Sequence, residues 1–267
     1  MAAIQAYANG GTTTAPTAAQ YTAIGLTLPT IAGLTAANVV GAMNALVASK
    51  ASADVTTLAQ LQTLADNMNV AYIKILAEAN GATADATPNE NPTAVDYASV
   101  GVTLGATTQT LALMNSALGE KVATDVDSID KLKAIATASN DVMKAAAGTA
   151  GATISNTDLL ALGLKINGVN SGITSVHASA LQANLTNLES SLDLAEIFTT
   201  GAAVNTFAKV QALLSLQVMR SFNDDTAAIG SKSQTAPGVS DYTNIGIKSY
   251  TIGTRVMTKR DIPEIVQ

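Results

Sequence analysis

The sequence predicts an all-α chain of tandem three-helix-bundle modules, joined as beads by Pro-, Gly- and Thr-rich linkers into an elongated array. Two observations carry that prediction. One pattern recurs about four times: Thr17-Ala-Ala-Gln20-Tyr21-Thr-Ala-Ile24-Gly25-Leu26 returns as Thr93-Ala-Val-Asp96-Tyr97-Ala-Ser-Val100-Gly101-Val102. A looser copy reads Ser155-Asn-Thr-Asp158-Leu159-Leu-Ala-Leu162-Gly163-Leu164, and a fourth ends in Asp241-Tyr242-Thr-Asn-Ile245-Gly246-Ile247. Between the copies apolar residues step by three or four, as one face of a helix requires, and almost nothing alternates as a strand would.

The recurring pattern encodes a short first helix. Thr17, Thr93 and Ser155 stand at its cap, with Gln20, Asp96 and Asp158 three residues on, which is capping-box spacing. Gly238 holds the cap position of the fourth copy. Tyr21 and Ile24 share a face, and Gly25 ends the turn in a left-handed conformation. A proline stands five residues before the tyrosine in three copies, as Pro16, Pro92 and Pro237.

A second helix follows. Ala37 to Val47, with Met43, Asn44 and Leu46, parallels Gln109 to Leu118, with Met114 and Asn115, and the third copy has the stripe Ile173, Val176, Ala180, Leu181, Leu185, Leu188, Leu192. The third helix opens on Asp54-Val55-Thr-Thr-Leu58, matched by Asp125-Val126-Asp-Ser-Ile129 and loosely by Ala203-Val204-Asn-Thr-Phe207. Read as continuous from 54 to 79, it spans roughly 39 Å at 1.5 Å per residue. Gly81 and Gly148 terminate the first two of these helices.

Breaker-rich stretches separate the modules: Ala82 to Pro92, Gly148 to Thr153, and Ser231 to Gly238. The expected organisation is the end of a preceding module at 1–11, complete modules at 12–81 and 89–148, a divergent helical module at 153–222 and a truncated one at 234–267. Asp261-Ile-Pro263 reads as the opening of a third helix capped by Thr258, and Ile4 to Gly10 as the close of one. The ends are thus matched in phase, as in an excerpt of a longer array or a subunit joined head-to-tail to its neighbours. Tyr250-Thr-Ile252 is the one stretch that reads as briefly extended.

Composition narrows the function. The chain has 267 residues, 48% of them apolar but only 3% aromatic, with no tryptophan. Alanine favours helices and close helix approach while adding little buried area per residue. No cysteine is present, which removes disulfides and thiolate metal sites. A net charge of −6 with 13% charged residues argues against nucleic acid and anionic membranes as partners. No run approaches the length of a membrane-spanning helix, and the first residues lack the basic-then-apolar order of a signal peptide.

Three helices, the first ending at a Gly followed by Ile, Leu or Val, the second bearing an Asn and the third opening on Asp-Val-x-Thr/Ser-Leu/Ile, resemble the GA-like three-helix repeats of very large bacterial surface proteins, the adhesins and biofilm-associated proteins. The likeness covers residues 14–148 well, 153–222 loosely and a truncated copy after 234. It implies a non-enzymatic structural region of an exported bacterial surface protein, extracellular or at the cell surface. There it would act as a spacer or stalk in cell adhesion. Its partners would be neighbouring repeats or copies of itself, or a host or matrix protein. The alternatives are a self-assembling filament, sheath or surface-layer subunit, and a host-protein-binding module of the GA kind. Some GA modules bind serum albumin, but no residue here maps onto that surface.

No catalytic, cofactor or metal residue is expected. His177, the single histidine, reads as solvent-facing on the second helix of the third copy. Asp125, Asp127 and Asp130 lack the glycine and terminal glutamate of an EF-hand and read as a negative helix N-terminus. Asp224-Asp225 reads as a solvated loop, and Arg255, Lys259 and Arg260 as a solvated face. Gly10-Gly11 and Gly148-Thr-Ala-Gly151 lack the strand and helix that flank a phosphate loop. Met43, Met114, Met143 and Met219 belong to core stripes. Asn44, Asn115 and Asn184 recur near the middle of helix two and bond either to a loop carbonyl of the same module or across to a neighbouring subunit.

Overall fold

A computed structural model describes residues 1–11, 13–81, 91–105, 107–186, 204–223, 238–245, 247–252 and 255–260. The described residues are mostly helical and fall into two units, Met1–Thr137 and Ala138–Gln267.

The first unit holds α1 (Ala2–Tyr7), α2 (Ala18–Ala23), α3 (Ala36–Ala48), α4 (Leu58–Glu78), α5 (Ala94–Ser99), α6 (Thr108–Gly119) and the start of α7 (Ile129–Ala146). α2 and α5 are only six residues long and depend on their ends. Thr17 Oγ1 accepts from Gln20 N at 3.3 Å while Gln20 Oε1 accepts from Thr17 N at 2.8 Å; Thr93 and Asp96 repeat the exchange at 3.2 and 2.8 Å. At the other end, Gly25 (φ +86°) and Gly101 (φ +79°) turn the chain left-handed. Leu26 N then reaches back to Tyr21 O at 3.1 Å and Val102 N to Tyr97 O at 2.9 Å, the six-to-one bond of a Schellman stop.

The third helix does not begin where its aspartate suggested. Asp54 lies in a 3-10 turn, Ser52–Val55, and Asp125 in another, Ala123–Asp125. The cap of α4 is Thr57, whose hydroxyl accepts from Gln60 N while Gln60 Oε1 accepts from Thr57 N. Ser128 and Thr206 cap at the same place, through Lys131 N and Lys209 N. The 21 residues of α4 span about 31 Å rather than the longer continuous helix.

Leu61, Ala65, Met68, Tyr72 and Ile75 form the inner face of α4 and are fully buried. The helix packs on α3, α5 and α6, so one helix serves two successive copies of the pattern. The junction is close. A β-carbon on Gly101 would stand 3.0 Å from the backbone of Ala45 and Leu46 in α3, whereas one on Gly25 would meet only the end of Leu58, at 3.4 Å. Lys74 of α4 reaches Asp96 of α5 at 3.3 Å, and Gly81 N donates to Lys121 O at 2.8 Å. α1 repeats this last arrangement against α3, with Asn9 N on Lys50 O at 2.9 Å.

The second unit contains the remainder of α7, then α8 (Asn156–Leu162), α9 (Ser175–Thr186), α10 (Phe207–Asn223), α11 (Val239–Asn244) and two strands, β1 (Ile247–Ile252) and β2 (Arg255–Arg260). α9 packs on α8 and α10, and α11 on α10. Its core includes Leu159, Leu162, Ile166, Leu181, Val210, Leu214 and Val218, all fully buried. Asn167 (φ +51°) and Gly168 (φ +77°) make a tight two-residue turn closed by reciprocal bonds between Ile166 and Val169.

The strands depart from the all-helical expectation, β1 containing the Tyr250-Thr-Ile252 stretch that reads as extended. β1 pairs antiparallel with β2, Ile247 opposite Arg260 and Ile252 opposite Arg255. Thr258 therefore lies in a strand and caps no helix. Ile247, Tyr250, Thr251, Ile252, Val256 and Thr258 are β-branched or aromatic, and that local density outweighed the resemblance to the third helix of earlier copies. Residues 261–267, read as the start of that helix, lie outside the described residues.

Candidate functional site

The recurring residues converge on one polar arrangement, which the structure repeats. Tyr21 Oη donates to Asn44 Oδ1 at 2.7 Å, and Asn44 Nδ2 donates to the Pro16 carbonyl at 3.0 Å. In the next copy, Tyr97 donates to Asn115 Oδ1 at 2.6 Å and Asn115 Nδ2 donates to Pro92 O at 2.8 Å. The tyrosine of the first helix, the asparagine of the second and the carbonyl of the proline before the cap are thereby locked together. Both tyrosine rings are completely buried. Burial pushes both phenol pKa values well up, helped by Tyr7 beside Tyr21 and by the charges of Glu78 and Asp96 around Tyr97, so each hydroxyl remains a donor.

Of the two partners open to the asparagines, Asn44 and Asn115 thus take a carbonyl of the same copy. The third copy reaches the same end differently. Leu159 replaces the tyrosine, and Gln182 of α9 accepts from Ile154 N at 2.7 Å and donates to Ala152 O at 3.0 Å. The longer amide grips the chain before α8 without a tyrosine. The side chain of Asn184 lies outside the described residues.

A second clamp went unnoticed in the sequence. Gln62 of α4 accepts from Thr27 N and donates to Thr27 O, both at 3.1 Å. Gln211 of α10 does the same to Lys165, at 2.8 and 2.7 Å. Each gripped residue stands two after the helix-ending glycine. The signal was present as a glutamine at one register of the third helix, but the middle copy has Lys133 there and breaks the pattern.

The fourth copy shows why its cap is a glycine. Asp241 is wholly buried; its Oδ2 accepts from Gly238 N at 2.9 Å and from Asn167 N at 3.1 Å, and its Oδ1 accepts from Ser215 Oγ at 3.2 Å. A β-carbon at position 238 would collide with the Asn167 side chain. A serine or threonine cap has no room there.

His177 is a correction. It is 6% exposed rather than solvent-facing, while its neighbour Val176 is 40% exposed. The ring folds back over the start of α9, where Nδ1 accepts from Thr174 N at 3.1 Å, doing the work of the glutamine or aspartate of other capping boxes. Nε2 is buried without a hydrogen-bond partner, and burial lowers the pKa of the ring.

The acidic residues go to separate tasks. Asp125 Oδ2 accepts from Val122 N, Asp127 pairs with Lys131 at 2.8 Å, and Asp130 lies in the first turn of α7. Among the described residues no group of three His, Cys, Asp or Glu is placed to hold a metal, and no described helix is long and apolar enough to cross a membrane. Met43 and Met114 are fully buried and Met143 half-buried. The side chains of Met219, Arg255, Lys259 and Arg260, and all of Asp224 and Asp225, lie outside the described residues. Gly10, Gly11, Gly148 and Gly151 have positive φ in turns.

What these residues can do chemically is bind backbone. The amides, caps and buried carboxylate described above bond to the chain's own peptide groups and to Tyr21, Tyr97 and Ser215. No family model, no curated protein and no solved structure matches the chain.

Proposed function

We propose that this chain is a non-enzymatic structural repeat region of an exported bacterial surface protein, serving as a spacer or stalk in adhesion. The observation that carries this reading is the junction between successive copies. α4 packs on both, Gly101 abuts the α3 backbone, and Lys74 spans from α4 to Asp96. A chain that spends its recurrent polar groups on internal clamps and joins its repeats by shared helices is suited to transmitting length and stiffness. In this reading the partners are neighbouring repeats, copies of the chain, or a host or matrix protein reached by another part of the parent.

The test is an exchange. Cells displaying the parent protein with residues 1–267 replaced by an unrelated helical spacer of equal length should adhere as before. Loss of adhesion with display intact would instead assign the binding to this segment, the GA-like reading. A measured hydrolase or transferase activity of the isolated chain would overturn the proposal.

A further inference from the structure

The outer face of α4 departs from what its own repeat provides. Val70 and Ile73, three residues apart on the face opposite the core, are 57% and 54% exposed, and Ala77 continues the stripe one turn on. Val95, next to the Asp96 that Lys74 holds against α4, is 73% exposed. Single exposed apolar residues are ordinary. Here the same register in the next third helix is a control. Aligning Leu58 with Ile129 and Leu61 with Leu132 sets Val70 and Ile73 against Asp141 and Lys144, which form an ion pair at 3.4 Å. One copy of this position is built for water and the other is not.

The charges flanking the stripe say what fits it. Asp66 lies four residues before Val70 and Lys74 four after, each about 6 Å along the axis. A two-fold axis through Val70 lays a second α4 antiparallel on the first and brings Asp66 of each copy opposite Lys74 of the other. Val70 then meets its own counterpart, with Ile73 at the flank. Asp66 accepts from Gln62 at 2.9 Å and Lys74 lies 3.3 Å from Asp96; a carboxylate and a three-donor ammonium can each serve more than one partner. Such a surface is self-complementary, as a two-fold interface must be. We propose that a second copy of this chain docks here, pairing two molecules side by side through α4. The pairing goes beyond the spacer role and does not depend on it; unpaired chains would leave that reading as it stands.

The test uses the full 267-residue chain in sedimentation equilibrium over a wide concentration range. A monomer–dimer equilibrium is expected, with a dissociation constant raised at least tenfold in V70D/I73K, which copies the Asp141–Lys144 pair and should keep its helix content. D66K sets like charges opposite each other and should weaken the dimer in the same direction. Because the chain has no cysteine, V70C should form a disulfide-linked dimer on mild oxidation, whereas V169C, exposed in the other unit, should not. A monomer at every concentration would overturn the proposal, as would a dimer indifferent to V70D/I73K. So would a monomer that captures a serum or matrix protein through the same residues.

Discussion

At the scale of the residue, the buried hydroxyl of Tyr97 has a partner and that of Tyr72 does not. Tyr97 donates to Asn115, so Tyr97→Phe leaves a buried amide oxygen short of a donor and should cost about 1–3 kcal/mol. Tyr72 is as deeply buried on α4, but its hydroxyl has no hydrogen-bond partner. Tyr72→Phe should therefore change stability by less than about 0.5 kcal/mol or raise it. Urea denaturation of the two variants checks the contrast. His177 supplies a pH dependence whose sign follows from its burial. Its folded pKa lies below the ordinary value, so between the two values the unfolded chain binds the extra proton. The stability it supports is complete above about pH 6.5 and declines as pH falls from there towards the folded pKa. H177Q keeps an acceptor for Thr174 N and should flatten that decline in thermal melts taken between pH 7.5 and 5. A decline unchanged in H177Q would assign it to other groups.

At the scale of the element, the glutamine clamp makes a prediction about the copy that lacks it. Lys133 stands where Gln62 and Gln211 grip the chain after the first helix. Lys133→Gln should provide the missing amide against Thr103 and stabilise the first unit by about 0.5–1.5 kcal/mol, read as a shifted urea midpoint. This clamp also marks the limit of what the sequence discloses. The first helices were legible in full, because Thr17-x-x-Gln20 and Thr93-x-x-Asp96 write the start and Gly25 and Gly101 the stop within ten residues. The third helices were legible as helices but not at their starts. Asp54 and Thr57 are both good caps, and only the intervening 3-10 turn selects Thr57. The pairing of Gln211 with Lys165 leaves only a glutamine register that Lys133 interrupts, and the burial of His177 depends on a ring folding back over its own helix. Of the hairpin at 247–260, Tyr250-Thr-Ile252 was legible as extended, while Thr258 reads as a helix cap by phase with earlier copies although the chain there follows its β propensity.

At the scale of the molecule, the question is whether successive repeats act as one body. Gly101 has φ +79° and no space for a β-carbon against α3, while Gly25 needs its positive φ alone. Gly101→Ala should cost about 1–3 kcal/mol more than Gly25→Ala, the difference being the overpacking at the junction. Differential scanning calorimetry should further show residues 1–137 melting in one transition that both substitutions shift. Separate transitions would mean independent beads. The central claim, that the array is a spacer, is tested most directly by small-angle X-ray scattering of the dilute 267-residue chain. The account predicts an asymmetric distance distribution and a radius of gyration well above the roughly 18 Å of a compact chain of this length. A symmetric distribution with a radius near about 18 Å would contradict it.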